Sequence, residues 1–306
     1  MVCDYAGAFL LTGSVSRSFA PGGRTPRGLR RLILLLSALT LGVAPPAVAQ
    51  PSVSVGLDYW SDYFWRGFSF YGDADSARGV FFPWTSCSWK DLSFSVVGEL
   101  PQSMLGGNPN ATEEAWAGVD FILGYSTSLF DDRLLLGSRI AYFLYPNSPD
   151  ENPDGARNDF IDLGLSLQLD TLPLKPKLEY SHYLRVDDRD GQQTALEDIY
   201  LRFSVRHDFE PLEHLMLTTS GSIAYFWYPS SEYWNSPAVG GNGDDYRGVS
   251  DIVGSIRATT DLWSRFTPYA SLNVAFVPDQ DFYRVWGKDQ RVHLWVTVGI
   301  SYQWSL

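Results

Sequence analysis

The sequence predicts an all-β protein: a transmembrane, antiparallel, up-and-down β-barrel of about twelve strands. Three observations lead there. From residue 51 onward, apolar side chains recur at every second position in one segment after another. The connections between those segments alternate between short and long. Aromatic residues make up 15% of the chain, with 11 Trp, 17 Tyr and 18 Phe, while charged residues make up only 19%. Strand side chains point alternately to opposite faces, so a period of two gives each segment one greasy face and one polar or small face. Aromatic rings suit such a pleated, half-buried surface.

The segments follow in order. Val53, Val55, Leu57 and Tyr59 alternate with Ser54, Gly56, Asp58 and Trp60. Residues 79–89 alternate poorly and are placed by spacing. Leu92, Phe94 and Val96 alternate with Ser93, Ser95 and Val97, and further segments fall near 115–126 and 133–145. Ile161, Leu163, Leu165, Leu167 and Leu169 oppose Asp162, Gly164, Ser166, Gln168 and Asp170. Leu178, Tyr180 and Leu184 oppose Lys177, Glu179 and Arg185; Ile199, Leu201, Phe203 and Val205 oppose Asp198, Arg202, Ser204 and Arg206. Segments near 215–228, 250–262 and 266–277 lead to the clearest one, in which Val292, Leu294, Val296, Val298, Ile300, Tyr302, Trp304 and Leu306 share a face. Short turns are expected near Lys90, Asp131-Asp132, Thr171–Pro173, Pro211–Glu213 and Ser264-Arg265. Longer links are expected over 66–78, 101–114, 146–157, 187–195, 229–247 and 278–290. An even strand count with short periplasmic turns and long outer loops is the pattern of a bacterial outer-membrane barrel. Closure satisfies every backbone donor and acceptor inside hydrocarbon, which a soluble β-sandwich has no need to do.

The N-terminus reads separately. Arg24, Arg27, Arg30 and Arg31 precede an apolar run from Leu32 to Val43, then Ala47-Val48-Ala49. That order predicts a secretory signal peptide over residues 1–49, cleaved after Ala49, with one barrel domain over 50–306. Cleavage removes five Arg and one Asp, taking the net charge from −12 to −16. A chain this acidic is no partner for nucleic acid. Cys3 leaves with the leader, so Cys87 has no intramolecular disulfide partner.

Charges mark the other face. Asp120, Arg139, Asp162, Lys177, Glu179, Arg185, Asp198, Arg202, Arg206 and Arg257 all lie on the non-greasy parity and are the candidate lumen-lining residues. Reflecting the chain about its turns places Asp120 opposite Arg139, Arg139 opposite Asp162, and Glu179 opposite Arg202. A register two residues on pairs Arg185 with Asp198. Facing opposite charges stabilise a strand pair by about 0.2–1 kcal/mol. Two readings stay open: the pairs brace a narrow or closed interior, or they line a water-filled path for small polar solutes. Aromatics near strand ends (Tyr63, Trp65, Phe68; Tyr142, Tyr145; Tyr225 to Tyr228; Tyr302, Trp304) are expected as girdles at the membrane boundary.

No catalytic, metal or cofactor site is expected. A lipase-like site would place His and Ser two apart on one lipid-facing strand. His182 has Tyr180 and Leu184 at those positions, and His207 has Val205 and Phe209. His214 sits in a turn, and His293 lies inward near the rim. Acidic loop residues such as Asp73, Asp75, Glu113, Glu114, Asp187 and Asp188 are expected as solvated charges, or as carboxylates bridged by divalent cations to lipopolysaccharide phosphates.

Ser61-Asp62-Tyr63-Phe64-Trp65-Arg66-Gly67-Phe68-Ser69 closes the first strand. It resembles the early Ser-Asx-Tyr-aromatic/Val-Trp/Phe-Arg-Gly-x-Ser signature of the TorF-type family of porin-like proteins. The chain departs from that pattern at Phe70, where a Gln-like residue often follows. The resemblance, carried by Asp62, Tyr63, Trp65, Arg66 and Gly67, implies an outer-membrane, channel-like barrel. Asp62 and Arg66 share a parity and are expected to pair inside the outer rim. The alternating C-terminal strand looks like the one that barrel-assembly machinery recognises. The functional expectation is a porin-like channel for small hydrophilic solutes in the outer membrane of a Gram-negative bacterium; an outer-membrane hydrolase or a structural surface barrel is the alternative.

Overall fold

The computed structural model describes residues 50–66, 68–69, 79–102, 118–145, 159–185, 198–228, 246–260, 265–278 and 291–305. The expected leader, over 1–49, lies outside them, as do the acidic loop residues named above. Fourteen strands are described: β1 (Ser52–Trp60), β2 (Phe64–Trp65), β3 (Phe68–Ser69), β4 (Val80–Trp89), β5 (Leu92–Pro101), β6 (Gly118–Leu129), β7 (Leu134–Leu144), β8 (Phe160–Leu169), β9 (Lys177–Arg185), β10 (Ile199–Leu212), β11 (Leu215–Tyr228), β12 (Tyr246–Thr260), β13 (Phe266–Phe276) and β14 (Val292–Ser305). Twelve of them form one closed antiparallel barrel, and β2 and β3 form a separate two-stranded hairpin. Closure is made by β1, which pairs with β14 from Ser52↔Ser305 to Trp60↔Thr297 and with β4 from Ser52↔Ser88 to Trp60↔Val80.

The two parities separate as expected. Outward positions carry large apolar side chains around the whole barrel, among them Leu57, Leu123, Ile140, Leu167, Leu178, Phe203, Ile223, Ile256, Leu272 and Leu294. Inward positions carry the buried polar groups, including Asp58, Glu99, Asp120, Asp162, Glu179, Asp198, Arg202, Asp251 and Asn273. A soluble monomer rarely exposes a contiguous apolar patch larger than a few hundred Å². A greasy exterior around a ladder with no open edge suits hydrocarbon. This gives a direct test. Leu165, Leu201 and Val298 are 37%, 39% and 43% exposed on the outward face. Single cysteines there, in a Cys87→Ser background, are expected to resist a membrane-impermeant maleimide in intact membranes and to react after denaturation. Rapid labelling in the native membrane would remove the lipid-facing assignment.

Three departures from the sequence reading have physical causes. Residues 80–89 alternate poorly because the inward positions Val80, Phe82 and Trp84 are as apolar as the outward Phe81 and Pro83. β12 starts earlier than expected because a register shift sets Ala224 against Asp251 but Tyr225 against Val249, leaving Ser250 extra. Such a bulge reverses the parity of everything beyond it. The girdle is also smaller than expected. Tyr225, Trp227, Tyr302 and Trp304 do lie on the outer parity near strand ends, with Phe266 packed 4.8 Å from Tyr302. Tyr63, Tyr145 and Phe226 instead point inward and are buried.

Candidate functional site

The lumen is stratified. Its half nearer the long links is packed with aromatic side chains: Trp60, Phe82, Phe143, Phe160, Tyr183, Tyr200, Phe226 and Trp295. Its half nearer the short turns is lined by small and cationic groups, such as Ser220 and Ser222 on β11 and Lys177, Arg206 and Arg257 on β9, β10 and β12.

The Ser61–Ser69 segment crosses the aromatic half. Ser61 prolongs the β14 pairing, its N–H donating to Val296 O (2.9 Å) and its Oγ accepting from Val296 N–H (2.9 Å). The chain then turns into the barrel. Asp62 Oδ2 lies 3.7 Å from His293 Nδ1, and the Phe64 ring lies 4.8 Å and 5.2 Å from the rings of His293 and Trp295. Tyr63 packs 5.1 Å from Phe82 and donates its hydroxyl to Glu99 Oε1 at 2.7 Å. Burial, helped by the Glu99 carboxylate, holds the Tyr63 phenol well above its ordinary range, so it remains a donor.

At the hairpin tip Trp65 pairs with Phe68, and Arg66 has φ 52°. Positive φ at the first central residue fits a tight two-residue hairpin turn. In that turn the Arg66 guanidinium points at the opposite wall. Its Nη2 donates to Asp162 Oδ2 at 2.7 Å and to Ser181 Oγ at 3.0 Å. The guanidinium carbon lies 4.8 Å and 4.7 Å from the ring centroids of Tyr183 and Tyr200. β9 is the sixth strand from β1 in either direction round the barrel. The hairpin is therefore a strap across the full bore, with its root on β1 and its tip on β8, β9 and β10.

Asp162 is the hub of that contact. The same Oδ2 accepts from Arg139 Nη2 at 2.7 Å, and Arg139 also reaches Ser181 Oγ at 3.2 Å. Towards the short turns, Arg202 Nε donates to Glu179 Oε2 at 2.6 Å, and Lys177 Nζ lies 3.3 Å from Glu179 Oε1. Lower still, Asp208 takes Lys175 Nζ at 2.8 Å, Arg206 Nη2 at 3.3 Å and the Thr218 hydroxyl at 2.8 Å.

The expected pairings fare unevenly. Glu179 faces Arg202 in the register anticipated. Arg139 does bond Asp162, but diagonally, since the backbone sets Arg139 against Gly164 and Asp162 against Ala141. Asp120 does not face Arg139: it faces Phe143, and Gly124 faces Arg139. The cause is the turn, in which Phe130, Asp131 and Asp132 all have positive φ. It uses four residues between Leu129 and Leu134, so the reflection centre lies two residues further on and the register moves by four. Asp198 lies across from Tyr183, whose N–H donates to its carbonyl, so the expected Arg185–Asp198 register is also wrong. Arg185 is set against Phe160, and its side chain lies outside the described residues. Arg66 was expected beside Asp62 at the rim and is found against Asp162 instead. Of the motif, the Trp65 side chain and Gly67 lie outside the described residues.

Sequence reasoning missed Glu99, Asp208 and Asp251, all on the inward face. Carrying the alternation two residues past Val97 and Arg206 reaches the first two, and carrying it six residues back from Arg257 reaches the third, which lies on the near side of the β12 bulge. Ser181 points into the lumen while His182 lies on the outward parity beside Tyr180, so the two belong to opposite faces.

No family model matches the chain, and no curated protein does. Several solved barrels resemble it in shape. The NanC porin and the KdgM porin, the latter in complex with disordered oligogalacturonate, each have 11% identity and a TM-score of 0.46, over 82% of this chain and 98% of theirs. Outer membrane phospholipase A from Escherichia coli has 10% identity and a TM-score of 0.39, over 81% of this chain and 92% of its own. Likeness this distant carries no argument about activity. The barrel stands on its own hydrogen-bond register.

Proposed function

We propose that this chain is an outer-membrane, porin-like channel that passes small hydrophilic solutes by passive diffusion, narrowed by the Ser61–Ser69 strap. The observation that carries the reading is the contrast between the two barrel faces. The exterior is apolar, whereas the interior holds charged groups and, in the half nearer the short turns, is lined by small residues that leave space. Ionisable groups inside a membrane are expensive and face a protein interior or a water-filled cavity. Twelve strands enclose more room than the eight whose interior side chains can fill.

On this reading residues 1–49 are a signal peptide removed after Ala49, in a Gram-negative bacterium. Barrel-assembly machinery takes the chain through its Val292–Leu306 strand. The short turns face the periplasm and the acidic outer loops meet lipopolysaccharide. The charged candidates from Asp120 to Arg257 line or brace the solute path. Membership of the TorF-type family rests on the Ser61–Ser69 motif alone.

Purified full-length barrel in planar bilayers tests the proposal. Stepwise conductance is expected, together with swelling of liposomes in small sugars, amino acids or organic acids. A silent bilayer with no swelling, or lipid hydrolysis in its place, would overturn it.

A further inference from the structure

The wall that receives the strap tip is shaped for a planar cation. Strand register sets Asp162 across from Tyr183 and Ser181 across from Tyr200, so four inward side chains of β8, β9 and β10 make one square. Within it, Asp162 Oδ2 and Ser181 Oγ accept from Arg66 Nη2 at 2.7 Å and 3.0 Å. The Tyr183 and Tyr200 ring centroids lie 4.8 Å and 4.7 Å from the guanidinium carbon. A guanidinium is flat and weakly hydrated, so it can lie against rings while its edge meets a carboxylate; an ammonium has no flat face to offer.

Wall residues hold this square together without Arg66. Arg139 reaches the same Asp162 and Ser181 oxygens at 2.7 Å and 3.2 Å. Tyr183 and Tyr200 both pack on Phe226, with centroids 5.8 Å and 5.7 Å away, and Phe160 lies 5.7 Å from Tyr183. The occupant comes from elsewhere in the chain. Arg66 sits on a hairpin that shares no ladder with the barrel, and its backbone is left-handed, with φ 52°.

We infer that this square is a binding site for the guanidinium group of a small cationic solute, and that Arg66 is its built-in occupant. A solute of that class competes with Arg66 and, by taking its place, frees the strap tip. Its role in opening the path rests on the channel reading; the binding itself does not. A tethered competitor acts at an effective concentration on the order of millimolar. The intact protein therefore responds only to solute well above the concentration that fills the vacated site.

Equilibrium dialysis of folded, detergent-solubilised full-length protein against labelled methylguanidinium and, separately, labelled methylammonium tests the site. Arg66→Ala is expected to bind methylguanidinium saturably and about tenfold more tightly than the wild-type protein, whose site is filled. Tighter binding after a side chain is removed is an outcome that misfolding does not mimic. Methylammonium is expected to bind Arg66→Ala about fivefold more weakly. Adding Tyr200→Leu to Arg66→Ala is expected to weaken methylguanidinium binding about fivefold, the scale of one desolvated cation–ring contact. In planar bilayers at constant ionic strength, methylguanidinium is expected to raise wild-type conductance towards the Arg66→Ala level and to leave Arg66→Ala unchanged. Methylguanidinium bound no more tightly by Arg66→Ala than by the wild type, or no better than methylammonium, overturns the site. Wild-type conductance that stays at its basal level overturns the displacement of Arg66. Binding with silent bilayers would keep the site and remove the channel; conductance without binding would do the reverse.

Discussion

Replacing Asp62–Phe68 with a Gly/Ser linker of equal length is expected to raise single-channel conductance about threefold, because a twelve-stranded bore freed of its crossing segment is wider than anything beside the strap. The strap is held at both ends by contacts that the linker lacks. At its root, Tyr63 bonds Glu99 and Phe64 packs on His293 and Trp295. At its tip, Arg66 bonds Asp162 and Ser181. The left-handed backbone at Arg66 costs about 1 kcal/mol for a residue with a Cβ. Two hydrogen bonds from a charged donor offset that several times over. Arg66→Ala releases only the tip, so it is expected to give a smaller rise with flickering between levels. The barrel ladder does not involve the strap, so heat-modifiable migration on gels should persist in both variants. Unchanged conductance in a folded linker variant would show that the strap does not limit the path.

The outer face of this fold was legible because lipid imposes a demand that repeats at every second residue. Ile161 to Leu169 and Val292 to Trp304 could have no other common environment, and the observed parity follows them. The Glu179–Arg202 pair was legible for a related reason: both residues lie on the inner parity of adjacent strands, and the reflection about their loop fell in register. The strap was not legible. Tyr63, Phe64 and Trp65 after a strand end carry the same local signal whether the chain lies in a membrane girdle or folds into the bore. What decides is the contact from Arg66 to Asp162, 96 residues along the chain. Period-two reasoning also has no means of counting residues in a turn, and the four-residue turn after Leu129 moved Asp120 away from Arg139. A motif read as a rim salt bridge thus became a crossing of the lumen.

Asp162→Leu is expected to be the most damaging single change in the barrel interior. Its side chain is 1% exposed, and one carboxylate oxygen accepts from both Arg66 and Arg139. Removing it leaves two guanidiniums converging on Ser181 without the carboxylate oxygen they share. Breaking a buried pair by deleting one partner costs about 3–5 kcal/mol, because the remaining charge has lost both water and its counter-ion. The expected readout is a lower urea midpoint for unfolding in detergent, together with release of the strap. Arg66→Leu combined with Asp162→Leu should recover part of the loss, since the double substitution leaves one cation at the hub in place of two. Residues sharing one ion-pair network couple by about 0.5–3 kcal/mol. Additive losses would mean that Arg66 and Asp162 touch without depending on each other. A recovered urea midpoint with the conductance still raised would separate the two roles of the contact: Asp162 keeps Arg66 and Arg139 in place, and Arg66 keeps the strap across the bore.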